Sequence, residues 1–150
     1  MIYQDIFNRK FYILNILLII GLVAAFYFFI NKTYWDKFDY LKNNKFLKMI
    51  FKLILPTFIA GYMWFVSIPI IQDKPLINKN KYVVITGTVT QEVVDGGLLG
   101  LSRSIIIKQD GMEYEFKVAW ADNNIKKGDT VLVTYLPHSK YAIIELKAEQ

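Results

Sequence analysis

The stretch Phe11–Ile30, FYILNILLIIGLVAAFYFFI, holds no charge and one amide, Asn15. Twenty helical residues reach about 30 Å, the thickness of a bilayer's hydrocarbon core. A cleaved leader would have a shorter apolar core and a small-residue cleavage site, whereas this run closes on Phe28, Phe29 and Ile30. Its reading divides the chain. Residues 1–10 are expected to be an N-terminal tail and 11–30 a first transmembrane helix.

A second charge-free run, Leu53–Ile71, has nineteen residues. Pro56 stands in its first turn, where a missing amide hydrogen costs little, and Pro69 in its last, so both lie near the ends. Residues 53–71 are therefore expected to be a second transmembrane helix, antiparallel to the first. Gly21 and Ala25 are spaced by four, as are Thr57 and Gly61, and small residues let helices approach closely in lipid. All four are candidate helix-packing positions, with Gly21 and Gly61 expected at one depth.

The connector, residues 31–52, reads as a basic amphipathic interfacial segment. Thr33 with Asp36 has the pattern of a helix start, and Trp35, Phe38 and Leu41 follow at helical spacing. Lys45, Lys48 and Lys52 recur on another face, where ammonium groups reach lipid headgroups. Six lysines on the connector side (32, 37, 42, 45, 48, 52) face Arg9, Lys10, Lys74, Lys79 and Lys81 on the other. The positive-inside rule then favours a cytoplasmic connector and an extracytoplasmic C-terminal half.

Past a linker at 72–81, the pattern changes. In KYVVITGTVTQEVV, residues 81–94, Val83, Ile85, Gly87 and Val89 alternate with threonines, the period of a half-buried strand, and Gly87 permits a bend. RSIIIKQDGMEYEFKVA, residues 103–119, gives two strands about Gln109-Asp110-Gly111, with Tyr114, Phe116 and Val118 on one face. Lys127-Gly128-Asp129 opens a fourth strand, and a fifth runs from Tyr141 to Leu146. Five short strands, the first long and bent, predict a small barrel over 82–150. The fold class is thus a membrane α-helical hairpin followed by a small all-β domain, a five-stranded OB-like barrel.

The pieces GTV, SRSIIIKQDGMEYEF and KKGDTVLVTYLP resemble the small barrel domains appended to membrane spans in bacterial proteins, such as the NfeD-like group and many two-helix proteins of unknown function. The resemblance covers about sixty-five residues and implies a bacterial inner membrane setting. It assigns no functional residue.

Charge and chemistry narrow the function classes. Through Lys81 the balance is +7, and from Tyr82 onward it is −2, so the basic character belongs to the membrane half. A mildly acidic β domain argues against nucleic acid, whose phosphates require a cationic surface. Without cysteine, thiol catalysis and disulfides are excluded. His138, Ser139 and Asp129 invite a triad, but neighbouring side chains on a turn rarely point at one another, so an exposed turn is the better reading. Ala121–Asn124, ADNN, lacks calcium-loop spacing and is expected to cap a turn. No cofactor or metal is called for. Leu98, Leu99 and Leu101 lie among glycines in the loop after the first strand, either folded under the barrel or turned to a partner or the membrane. Arg103 beside them is a candidate charged contact. The expected function is non-enzymatic: a membrane-tethered binding or accessory protein whose partners are the lipid bilayer and an unidentified protein. The alternative is a small ligand sensor or enzyme using the barrel face.

Overall fold

The computed structural model describes residues 3–31, 37–38, 40, 44–96 and 102–147. Helix α1 is Tyr3–Ile30. Helix α2, Lys45–Tyr62, runs into a π-helical turn, Met63–Ser67, and then into α3, Ile68–Asn78. Both α1 and the 34 helical residues Lys45–Asn78 are long and apolar enough to cross a membrane. Five strands follow: β1 Val83–Gly96, β2 Ser102–Gln109, β3 Met112–Ala121, β4 Thr130–Tyr135 and β5 Tyr141–Leu146. The chain forms two compact units, one of Tyr12–Pro69 and one combining Met1–Phe11 with Ile70–Gln150.

The first unit is the helical hairpin. On α1, Leu14, Leu18, Gly21, Ala25 and Phe28 recur every three to four residues and are the less exposed side, the face turned to α2. The Tyr62 hydroxyl donates to the Leu14 carbonyl at 2.9 Å, and a Cβ on Gly21 would lie 3.7 Å from the Ile59 side chain. This register corrects the expected pairing of Gly21 with Gly61. A Cβ on Gly61 would meet nothing within 4 Å, and the Thr57 hydroxyl donates back to its own helix at Leu53 O, 2.8 Å. Of the two glycines, Gly21 is the one whose Cβ position meets the partner helix.

The second helix begins earlier than the apolar run suggests. Asn44, in extended backbone, accepts the Leu47 N–H on its side chain at 3.1 Å, a standard N-cap that satisfies an otherwise orphaned donor. Lys45, Lys48 and Lys52 therefore belong to the first turns of α2 and not to a separate connector. Thr33, Trp35, Asp36 and Leu41 lie outside the described residues. At the other end, Pro69 lacks an N–H, and its ring would crowd the carbonyl four residues back in an α-helix. The wider π turn stands directly before it, with the Ile68 N–H bonding Met63 O.

Residues 72–81 are not a linker. Helix α3 continues through Pro75 to Asn78 and stops in a Schellman arrangement: Asn80 takes positive φ (52°), its N–H bonds Ile77 O, and the Lys81 N–H bonds Leu76 O.

In the second unit the strands close as β1-β2-β3-β5-β4, with β3 and β5 parallel and the other pairs antiparallel. This is the expected OB-like barrel. β1 pairs β4 through Val83–Thr88 and β2 through Thr88–Gly96, so it must turn sharply between them. Gly87 sits at the turn. A Cβ there would fall 2.5 Å from Ile107 Cγ2 and 2.8 Å from Lys108 O, so no larger residue fits. The β2–β3 hairpin closes on Asp110 and Gly111, both at positive φ as a two-residue turn of this type requires. Val89, Ile105, Ile107, Phe116, Val118, Val131, Val133, Ala142 and Ile144 fill the interior.

Candidate functional site

Leu136, Ile143, Phe7, Ile70 and Ile77 are fully buried, yet none belongs to the barrel's interior cluster. The register explains this. Ala142 and Ile144 point inward, so Tyr141, Ile143 and Glu145 point outward. On α1, Tyr3, Phe7 and Lys10 share one face at the i, i+4, i+7 spacing. The Tyr3 hydroxyl donates to Glu145 Oε2 at 2.6 Å, and the Lys10 ammonium lies 5.9 Å from the Tyr141 ring centre. The helix thus runs antiparallel to β5, which sets Phe7 at the level of Ile143. Of residues 1–10, expected to be a tail, residues 3–10 form the first turns of α1 and cover the sheet.

α3 covers the neighbouring part. Asp73, fully buried, accepts two backbone donors of the β4–β5 turn: His138 N–H on Oδ1 at 3.2 Å and Ser139 N–H on Oδ2 at 2.7 Å. Each oxygen holds one donor of the Leu136–Tyr141 turn, itself closed by Leu136 N–H to Tyr141 O and Lys140 N–H to Leu136 O. Charge-assisted bonds of this kind contribute about 1.5–3 kcal/mol each. The Tyr82 ring packs on Phe7 at 5.2 Å and edge-on to Tyr3 at 6.3 Å. Lys74 donates to Asn8 Oδ1 at 2.6 Å. Sequence reasoning missed this whole set because its members are far apart in the chain and individually ordinary.

The arrangement decides the chemistry suggested for His138, Ser139 and Asp129. His138 is exposed and contributes its backbone to Asp73. Asp129 accepts the Lys126 N–H at 2.7 Å within its own turn. The Ser139 hydroxyl is buried with no hydrogen-bond partner among the described residues, as is that of Ser67. These three do not form a catalytic relay. Asp122 of ADNN accepts the Leu146 N–H at 2.8 Å, a contact to the end of β5 and not the cap of its own turn that the sequence suggests. Among the described residues, no group of three His, Asp or Glu is placed to hold a metal.

Of the candidate contact residues, Leu98, Leu99 and Leu101 lie outside the described residues. Arg103 pairs with Asp95 at 3.0 Å, with both side chains solvent-exposed, so the bond is weak. Within the helical unit a cavity of about 490 Å³ is walled by Ala25, Phe28, Phe51, Leu55 and Pro56, with Lys52 at its edge. The outward face of β2 and β3 carries the cross-strand pairs Lys108–Glu113, Ile106–Glu115 and Ser104–Lys117. No protein-family model, curated protein or solved structure matches the chain.

Proposed function

We propose that this is a two-pass protein of a bacterial inner membrane, akin to the NfeD-like proteins, whose barrel is a non-enzymatic binding module. The observation that carries this reading is the double fastening of the barrel. The chain before the first apolar run is bound to β5 through Tyr3 and Glu145, and the chain after the second is bound to the β4–β5 turn through Asp73. A flexible tether would suffice for a soluble catalyst. Two fastenings tie the barrel to the segments that flank both apolar runs, which favours recognition of a partner in the same membrane or close to it.

The barrel interior is filled with aliphatic side chains and Phe116. Its working surface is then the outside. With β4–β5 covered by the helices, the mixed-charge outer face of β2–β3 is the surface presented to a protein partner, as an accessory subunit, protector or assembly factor. The positive-inside count, six lysines against five cations, favours the extracytoplasmic side for the barrel.

A photo-crosslinking amino acid at Ile106, on the outer face, tests the reading in intact cells. The expected result is one adduct of defined mass, absent when the crosslinker replaces Leu132 on covered β4. Equal or absent labelling at both sites would contradict a dedicated recognition face.

A further inference from the structure

We propose that Lys10 and Lys117, which share the Tyr141 ring, form with the neighbouring Arg103 a binding site for the phosphate of an anionic phospholipid headgroup. The inference rests on the membrane reading above.

Lys10 is the last residue before the charge-free run Phe11–Ile30. With that run in a bilayer, its ammonium stands at the headgroup level, where lysines reach lipid phosphates. Lys117 is the register partner of Tyr141 across the parallel β3–β5 pair. Its ammonium lies 5.7 Å from the Tyr141 ring centre, and that of Lys10 lies 5.9 Å from the same centre. One aromatic ring therefore holds two cations, an attraction that sets both side chains but does not neutralise either charge. Arg103 of β2 is near enough to act on Lys10. Burial first, then the charges of Arg103 and Arg9, pull the Lys10 ammonium below the ordinary lysine value.

Compensation is sparse. Asp95 takes Arg103, and no carboxylate among the described residues pairs with Lys10 or Lys117. A bound phosphate would supply the counter-charge these cations lack, most strongly beside a low-dielectric bilayer. The three cations come from α1, β2 and β3, so the site exists only when the helix lies on the barrel. A net anionic headgroup is preferred over choline, whose own ammonium would face the lysines.

The test uses the full-length protein in a neutral detergent. Its melting temperature is followed against dihexanoyl phosphatidylglycerol, dihexanoyl phosphatidylcholine and inorganic phosphate. Phosphatidylglycerol should stabilise saturably, with half-saturation about tenfold below that of phosphatidylcholine. The Lys10→Gln/Lys117→Gln variant should lose that preference, the Lys10→Arg/Lys117→Arg variant should keep it, and Lys108→Gln should leave it untouched. A glutamine variant with the original preference overturns the proposal. Should that variant not fold, Arg103→Gln serves instead, expected to weaken phosphatidylglycerol about threefold, and no weakening is equally fatal. If inorganic phosphate acts at concentrations as low as the lipid, the site takes free anions and the lipid assignment fails. Retention in carbonate-washed membranes is scored separately: a protein that washes off yet prefers phosphatidylglycerol defeats the membrane reading and leaves the site standing.

Discussion

Tyr3 and Glu145, 142 positions apart, are joined by a 2.6 Å hydrogen bond from phenol to carboxylate. The chain's first helical residue therefore lies on its last strand, and what precedes the first apolar run is part of the barrel unit. With Asp73 on the β4–β5 turn, both helical approaches to the barrel end on one face of the sheet.

Asp73 is the most sensitive of these positions. Asp73→Ala strands the N–H groups of His138 and Ser139 in a buried place, at a cost of about 2–4 kcal/mol. Hydrogen exchange should show lost protection at those two amides while Val133, inside the barrel, stays protected. Protection unchanged at His138 and Ser139 would mean that the turn holds itself.

Gly87→Ala should be worse than its single added carbon suggests. The new Cβ would meet the Lys108 backbone oxygen at 2.8 Å, which cannot rotate away, as well as Ile107. The barrel should lose about 1–3 kcal/mol, seen as a lower melting temperature. Gly111→Ala strains a positive φ in open space and should cost less.

In the hairpin the two glycines should differ. Gly21→Leu drives a side chain into Ile59, whereas the Cβ of Gly61→Leu meets nothing within 4 Å. Disulfide cross-linking between cysteines introduced on α1 and α2 should fall for the first variant and persist for the second. Equal loss in both would restore the symmetric glycine pairing that the spacing suggests.

Much of the fold is legible locally. Asp110-Gly111 names its turn, alternation names β1 through β3, and Tyr141–Leu146 is read to the residue. The helical approaches are not legible in that way. QDKPLINKNK has the proline and polar residues of a linker, and its helicity depends on burial of Ile70, Asp73 and Ile77 against a sheet that forms later in the chain. Gly61 misled because spacing along a helix gives a face but not which way that face points. The Asp73 contact has no local signature, since its acceptors meet backbone N–H groups that any residue would supply.

Alkaline pH should loosen the Tyr82 contact. Burial pushes its phenol above the ordinary value of 10.0, so the folded state favours the neutral form. That contribution is complete below the unfolded value and disappears as pH rises through the folded one. Melting temperatures should hold to about pH 10 and then decline, less steeply in Tyr82→Phe. Parallel declines in both proteins would remove Tyr82 from the account.

The central claim is that an integral membrane protein carries its barrel fastened to the start of its first helix. The chain contains no cysteine, so Tyr3→Cys/Glu145→Cys supplies the sole pair for a short bis-maleimide. The measurement is cross-linking of this variant in carbonate-washed membranes, read as a mobility shift. The account predicts that the protein stays in the membrane pellet and that most of it is internally bridged, with no bridge when the second cysteine replaces Lys108. Protein released to the supernatant, or retained but bridged no more than the Lys108 control, would contradict it.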